Sequence, residues 1–210
     1  MKKQRIRIHF SKIESMRYTS HLDLILTWER TFRRADLPLA YSEGYSPRPI
    51  LTMAAPLPLG YTSIGEMGDF WLSENIPIDT ISRSLVTALP PGLQSNNILE
   101  IADLHAPKLP TLVIAASYLV SFDEVHQDIK AKIDSVIQKE ELIRIWKNKQ
   151  YDLRPLIKKI TLIQSTAEPQ EISMTLTALP GATGRPDEVV SAIEIQPILV
   201  KFCRTEIILK

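Results

Sequence analysis

The sequence predicts an α+β protein built from two tandem ferredoxin-like (βαββαβ) sandwiches, each an antiparallel sheet with helices on one face. Three observations lead to this prediction. The chain has 210 residues, enough for two domains of about 100 residues each. The first half reads strand–helix–strand–strand–helix–strand, and the second half repeats that order with one extra strand. Two prolines in the polar segment 106–110 separate the halves and predict domains at 1–105 and 110–210.

A strand and a capped helix open the first half. Basic and apolar residues alternate from Arg5 to Phe10, which is typical of a strand with one buried face and a second face, carrying His9, in solvent. Ser20 is the predicted N-cap of the helix, and Asp23 completes a capping-box-like pair with it. Pro38 ends the helical region. The predicted buried stripe of this helix is Ile25, Trp28, Phe32 and Ala35.

A turn-rich loop at 41–49 follows the helix. Gly44 is free to take a positive φ there, and the prolines stiffen the exit from the loop. The remaining predicted elements of this half are strands at 50–55 and 65–72, a helix from Asp79 to Leu89 with Ile81, Leu85 and Val86 inward, and a strand at 98–101.

The second half repeats the order of elements without a close repeat of the sequence. Its predicted elements are a strand at 112–122, a helix at 124–138 with Val125, Ile129, Ile133 and Val136 or Ile137 inward, apolar segments at 142–146 and 156–163, a strand at 172–179, a short helix opened by Pro186, and a strand at 198–209. Residues 151–155 are predicted to form a polar turn, and a tight connection is expected near Asn148 and Lys149.

Composition narrows the function classes. The net charge of +1 is no excess of either sign, so it does not indicate binding to nucleic acid or to a membrane surface. Cys203 is the only cysteine, which rules out an intramolecular disulfide and any multi-cysteine metal or iron–sulfur site. The basic N-terminus lacks the apolar core of a secretory signal, and no apolar run approaches the roughly 20 residues of a membrane span. The expectation is a cytoplasmic protein without a membrane role.

Standard catalytic motifs are absent from the sequence. It contains no Walker-type phosphate loop, no dinucleotide glycine fingerprint and no paired-histidine metal helix. The four histidines are dispersed and have no ligand spacing. We therefore expect no cofactor and no bound metal, and candidate chemistry is sought in residues 17–66.

Residues 17–66 contain basic and aromatic side chains that favour anion binding. His21 stands at the first helical position, where the positive helix end favours the neutral imidazole, able to act as base or acceptor. Arginines 17, 30, 34 and 48 converge if the loop at 41–49 folds over the helix, and Tyr41 and Tyr45 add stacking faces. The alternatives stay open: a surface histidine in a first turn, and a solvated helix face whose arginines offset the helix dipole.

The second half offers one weaker pattern. Gly181 to Pro186 form a glycine-rich turn that leads into a helix, and such a turn holds anions in some proteins, with Arg185 as a helper here. An ordinary strand-to-helix loop has the same composition and is the preferred interpretation.

The chain resembles the radical-SAM-linked family, a bacterial domain of unknown function. The residues that carry the resemblance are Ser20-His21-Leu22-Asp23-Leu24, Arg33-Arg34-Ala35, Leu37-Pro38-Leu39-Ala40-Tyr41-Ser42, Gly44, Pro47, Pro49, Leu57-Pro58-Leu59-Gly60, Ser63 and Glu66. The turns Leu89-Pro90-Pro91-Gly92-Leu93 and Gly184-Arg185-Pro186 also resemble the family, so the likeness spans nearly the whole chain. Members occur alone or fused behind a radical SAM enzyme.

The resemblance implies a partner more than an activity. Family members are often encoded beside a radical SAM protein and a ribonuclease of the E/G type, which implies RNA- or ribosome-related work. The radical SAM cluster needs three cysteines, so a separate chain would have to carry that chemistry. This sequence departs from the family at Leu26, where an arginine is usual, and in the loop, which reads Gly44-Tyr45-Ser46-Pro47-Arg48-Pro49-Ile50 instead of the usual G-F-N-P-H-P-K. The departures fit anion binding, because Arg48 still supplies charge.

Three functional hypotheses follow. The first is a non-catalytic module that binds RNA or the substrate of a radical SAM partner, with the recognition residues His21, Asp23, Arg30, Arg34, Ser42, Tyr45, Arg48 and Glu66. The second is a metal-independent RNA-processing enzyme in which His21 is the general base. The third is a structural subunit that binds only protein.

Overall fold

The computed structural model describes residues 1–146, 148–164 and 169–210 of the chain. Over these residues the protein is α+β, with mostly antiparallel strands and helices packed on them, so the predicted class is confirmed. The chain divides into two compact units, Met1–Val113 and Ile114–Lys210. No helix among the described residues is long and apolar enough to cross a membrane.

The first unit contains one four-stranded antiparallel array. Its elements are β1 (Gln4–Lys12), α1 (His21–Arg34), β2 (Leu51–Met53), β3 (Thr62–Leu72), α2 (Ile78–Ala88), β4 (Leu93–Glu100) and α3 (Leu109–Leu112). β1 pairs with β4 on one side and with β3 on the other, and β2 pairs with β3, which gives the order β4-β1-β3-β2.

An aromatic cluster joins α1 to this array. The ring of Trp28 lies edge-on to Phe10, with centroids 4.9 Å apart, and stacks on Phe32 at 5.3 Å. Phe32 in turn stacks on Phe70 of β3 at 4.2 Å. Burial of these rings supplies the main apolar contact between helix and sheet.

Two predicted helix faces are partly wrong. In α1 the buried residue of the first turns is Leu24, whereas Ile25 is only half-buried. In α2, Ile81 and Leu85 are buried as predicted, but Val86 is 70% exposed. Helical spacing defines a stripe to within about one residue, and the sheet beneath decides which neighbour turns inward.

The basic side of β1 is covered rather than solvated. Arg5 is 1% exposed, and its guanidinium donates to Asp69 of β3 and to the carbonyl oxygens of Ala106 and Pro107. Arg7 donates to both oxygens of the same carboxylate. The prediction of a strand with one solvent face is therefore wrong, because residues 101–107 lie over that face.

The second unit has more strands than predicted. Its elements are β5 (Val113–Phe122, whose first residue closes the first unit), α4 (Ile129–Gln138), β6 (Ile143–Trp146), β7 (Lys149–Asp152), β8 (Ile157–Gln164), β9 (Gln170–Leu179), β10 (Ala182–Thr183), α5 (Pro186–Ala192) and β11 (Val200–Leu209). β5 lies between β9 and β11, and β8 and β10 both pair with β9.

Three predictions in this unit need correction. Residues 149–152, expected to be in or next to a polar turn, form β7 because they pair with β6, and Asn148 makes the turn with φ +63°. α4 begins at Ile129 rather than at 124. Val125 and Ile137 are partly exposed, whereas Ile129, Ile133 and Val136 are buried as predicted.

Candidate functional site

The predicted site residues occupy several separate places in the first unit. His21 and Asp23 lie at the start of α1, and Arg30 and Arg34 lie near its end. The 14 residues of α1 make a helix about 20 Å long at 1.5 Å per residue. The structure therefore does not bring His21 and Arg34 to one point. The other predicted residues lie in the loop at 41–49 and in β3.

The start of α1 is capped as predicted. The backbone N–H of Asp23 donates to Ser20 Oγ at 3.2 Å, and that hydroxyl donates to Asp23 Oδ2 at 2.7 Å. His21 is the first helical residue and is half-buried. The carboxylate of Asp23 is thus used by the cap, where it also offsets the positive helix end.

A buried lysine fixes the segment that leads into this cap. Lys12 is buried, and its Nζ donates to the carbonyl oxygens of Arg17, Thr19 and Tyr61 at 3.1, 3.1 and 3.2 Å. Arg17 Nε donates to the carbonyl oxygen of Gly60 at 2.7 Å, and the Gly60 N–H donates back to the Arg17 carbonyl at 3.2 Å. The segment before α1 is therefore bound to residues 60–61. Lys12 lies beyond the predicted strand and was not among the predicted site residues, because no local pattern indicates which carbonyl oxygens its side chain reaches.

Apolar side chains are exposed around this junction. Tyr18 is 75% exposed, with the Arg17 guanidinium carbon 5.6 Å from its ring centroid. Leu22 on α1 and Leu59 beside Gly60 are also largely exposed. We call Arg17, Tyr18, His21, Leu22 and Leu59 the helix-start surface. It presents exposed apolar groups next to a cation, on backbone that Lys12 and Arg17 hold by hydrogen bonds.

The end of α1 is joined to the end of α2 by Arg34. Its Nη2 donates to the carbonyl oxygen of Ala88 at 2.7 Å and to Thr31 Oγ1 at 3.1 Å, and its Nε donates to the same Ala88 oxygen at 3.2 Å. Ala88 is the last residue of α2, whose terminal carbonyls lack helical partners. Arg34 therefore acts as a helix-end contact, while Arg30 is exposed on α1.

The loop at 41–49, which we call the Tyr45 loop, is closed by hydrogen bonds at its base. The Ser42 N–H donates to the Arg48 carbonyl at 2.9 Å, and the Arg48 N–H donates to Ser42 Oγ at 3.0 Å. Tyr41 and Pro49 form a bridge beside them. Gly44 has φ +125°, as expected for a tight turn that favours glycine. Tyr45 at the tip is fully exposed, and the Arg48 side chain is exposed as well.

The Tyr45 loop and the helix-start surface are anchored at opposite ends of β3. The loop base is bound to Trp71, since the Ala40 N–H donates to the Trp71 carbonyl at 2.8 Å. The helix-start surface is bound to residues 60–61, just before β3 begins at Thr62. Eleven residues of β3 span about 35 Å at 3.3 Å per residue. The segments that carry His21 and Arg48 are therefore bound at opposite ends of β3, about 35 Å apart along the strand.

Glu66 lies inside the sheet rather than at either surface. It is buried in β3, directly opposite Phe10 of β1. It is 2% exposed and so is not part of either exposed surface. Its place among the predicted site residues rested on the resemblance alone.

The arginine of the glycine-rich turn at 181–186 is paired with a carboxylate. Arg185 donates to Asp187, and Arg144 donates to Glu188 at 2.8 Å, so both arginines near this turn are neutralised by carboxylates.

Burial, and to a smaller extent the charge of Arg7, lowers the pKa of His9, and Asp69 opposes the shift. Among the residues that the structure describes, no group of three or more His, Cys, Asp or Glu is placed to hold a metal ion.

Comparison with known proteins gives a family and a weak structural likeness. Residues 5–186 match a family described as an uncharacterized protein conserved in bacteria (DUF2344). No curated protein matches the sequence. A solved structure of an H/ACA RNP bound to a substrate RNA containing 2′-deoxyuridine aligns at 9% identity with a TM-score of 0.48, over 96% of this chain and 47% of that chain. The likeness is too weak to bear on function.

Proposed function

The chain belongs to this family of uncharacterised bacterial proteins, and from that premise we propose that it is a non-catalytic accessory module that binds single-stranded RNA through the Tyr45 loop. Tyr45 supplies the face on which a base stacks, and Arg48 supplies the charge that pairs with a phosphate. Tyr41, at the base of the loop, adds a second partly exposed ring.

One observation carries this proposal: a fully exposed tyrosine stands at the tip of a loop closed by hydrogen bonds. The Tyr45 ring lies in solvent and contributes nothing to the core, while the hydrogen bonds between Ser42 and Arg48 fix the ends of the segment that carries it. Aromatic stacking with a base contributes about 1–3 kcal/mol per base and tolerates every sequence. Because hydrogen bonds already close the lower part of the loop in the free protein, less conformational entropy of the chain is lost when RNA binds.

For the architecture, we propose that each unit is a ferredoxin-like sandwich and that the domains span 1–105 and 110–210. The order β4-β1-β3-β2 with α1 and α2 supports this for the first unit. In the second unit β8, β9, β5 and β11 supply the corresponding strands, with the β6–β7 hairpin and β10 as additions.

For the cellular setting, we propose that the module works in the bacterial cytoplasm with a separate radical SAM protein. The proposal rests on the resemblance carried by residues 17–66, and on Cys203 being the only cysteine in the sequence. Because the cluster of a radical SAM enzyme requires three cysteines, a second chain would supply it.

The test is binding of a fluorescein-labelled single-stranded RNA of mixed sequence, followed by fluorescence anisotropy at several salt concentrations. Tyr45→Ala is expected to weaken binding by about 5- to 150-fold, the loss of one stacked base. Arg48→Ala is expected to weaken binding and to reduce the slope of log K against log salt by about 0.7, the value for one phosphate contact on a single strand.

The matched control is Arg83→Ala, which removes an exposed arginine from α2 of the same unit. Its affinity and salt slope should equal those of the unchanged protein. The proposal is wrong if RNA does not bind at low salt, or if all three variants bind equally well.

A purely protein-binding role is the second candidate, and the helix-start surface favours it. Tyr18, Leu22 and Leu59 present apolar side chains on backbone that Lys12 and Arg17 hold in place. Rigid aromatic and aliphatic groups beside an arginine are typical of protein interfaces. In this case the Tyr18→Ala variant should bind RNA normally but should fail to bind the radical SAM protein when the two purified chains are mixed. That result would identify the helix-start surface as a protein interface.

The RNA-processing alternative would use His21 as the base. Its arginine would have to be Arg17, because the anchors of His21 and Arg48 lie at opposite ends of β3. Cleavage of mixed RNA that His21→Ala abolishes, with folding intact, would favour this alternative over the module.

A further inference from the structure

The β6–β7 hairpin of the second unit has a surface that the proposed function does not use. β6 and β7 pair with each other from Ile143–Asp152 to Trp146–Lys149, and with no other strand among the described residues. A two-stranded hairpin is marginally stable in water and has an unpaired edge on each side. Backbone N–H and C=O groups along β6 are therefore open to another strand.

In β6 the charged side chain faces the protein and the apolar side chains face solvent, the reverse of an ordinary surface strand. Arg144 points to α5, where its Nε donates to Glu188 Oε2 at 2.8 Å. Ile143 and Ile145 lie on the other face and are 46% and 72% exposed. Antiparallel strands normally place the apolar side inward and the charged side in water. The salt bridge holds Arg144 on the side that faces α5, and the alternation of the strand places both isoleucines on the opposite side.

The charges at the two ends of β6 select the partner. Glu140 and Glu141 precede the strand and are exposed beside one exposed lysine, Lys139, so this end carries a net negative charge, whereas the exposed Lys149 follows the turn at the other end. A strand that is acidic at one end and basic at the other complements a second copy of itself in antiparallel orientation. Each acidic end then meets a basic end, which is the self-complementary contact of a two-fold dimer.

We propose that the protein forms a homodimer in which the β6–β7 hairpins of two copies pack antiparallel about a two-fold axis beside Arg144. Ile143 of one copy then packs against Ile145 of the other, and the β6 edges exchange backbone hydrogen bonds. The contact is small, which places its dissociation constant in the range of weak interfaces.

The first experiment is sedimentation velocity of the full chain from about 1 to 300 µM, a range that spans weak dimers. The unchanged protein is expected to shift from monomer to dimer across it. Ile145→Lys is expected to raise the dissociation constant at least about tenfold, since a charge replaces an apolar contact made twice. The control Ile198→Lys changes an exposed isoleucine outside the hairpin of the same unit and should dimerise normally.

The second experiment uses charge exchange. Glu140→Lys/Glu141→Lys makes both ends of the hairpin basic, and Lys149→Glu makes the other end acidic. Each variant alone should dimerise more weakly, and an equimolar mixture should form a heterodimer. A monomer at every concentration overturns the proposal, as does a dimer that Ile145→Lys and Ile198→Lys affect equally. Far-UV circular dichroism confirms that each variant is folded.

Discussion

The Arg5 guanidinium and the Asp69 carboxylate form an ion pair between neighbouring strands, with Nη2 and Oδ2 2.6 Å apart and both side chains almost fully buried. Arg7 shares the carboxylate through its Nε at 2.7 Å, and Nη1 and Nη2 of Arg5 donate to the carbonyl oxygens of Ala106 and Pro107. A buried ion pair is favourable only when hydrogen bonds satisfy the charged groups. Here four of the five N–H groups of Arg5 have acceptors, and two of these bonds hold residues 106–107 against β1.

Asp69→Asn is expected to lower the free energy of unfolding by about 3–5 kcal/mol, because it leaves the Arg5 charge buried without its counter-ion. Urea denaturation followed by tryptophan fluorescence measures the change. The triple variant Arg5→Met/Arg7→Met/Asp69→Leu removes all three charges and is expected to recover part of the loss, since the carbonyls of residues 106–107 still lack their donor. A single variant as stable as the unchanged protein would contradict the role of the pair.

Lys12→Met is expected to destabilise the protein by about 3 kcal/mol or more, because three carbonyl oxygens, one of them buried, lose a charged donor. These carbonyls belong to Arg17, Thr19 and Tyr61, so the loss should be felt at the start of α1. Hydrogen exchange should become faster at residues 17–22 in particular. Lys3→Met, which changes an exposed lysine before β1, is the control and should alter neither quantity.

The contacts of these buried charges could not be predicted from the sequence, whereas local contacts could. The cap formed by Ser20 and Asp23 was predicted because both partners lie within one helical turn. The burial of Arg5 was not predictable, because the segment that covers it lies about a hundred residues along the chain. β7 was missed because its residues carry no apolar alternation, and only pairing with β6 makes them a strand.

The candidate site divides in the same way. The composition of the loop at 41–49 predicted a turn with an exposed tyrosine and arginine, and local hydrogen bonds between Ser42 and Arg48 form it. Arg34 looked equally suited to an anion, but its partner is the carbonyl of Ala88, on another helix. Periodicity and composition describe local structure, and they cannot say which distant group a long side chain reaches.

His9 gives an expected pH dependence. Burial lowers the pKa of His9, so folding favours its neutral form. The corresponding stability is present above pH 6.5, the ordinary value, and is lost as the pH falls through the lower folded pKa. His9→Gln is expected to reduce the loss of stability between neutral and acidic pH. Urea midpoints of the two proteins measured from neutral to acidic pH test this, and parallel curves would contradict it.

The last prediction separates the two arginines that looked alike in the sequence. Arg34→Met keeps the aliphatic stem but removes the donors to Ala88 and Thr31, so it is expected to lower the free energy of unfolding by about 1–3 kcal/mol. RNA affinity should remain unchanged where the variant is folded, because Arg34 is engaged at the ends of two helices. Arg48→Met should do the reverse, with weaker RNA binding and unchanged stability, since its side chain is exposed. Anisotropy and urea denaturation on the same samples decide the matter. If Arg34→Met weakens binding as much as Arg48→Met does, the end of α1 belongs to the RNA surface and the site is larger than the Tyr45 loop.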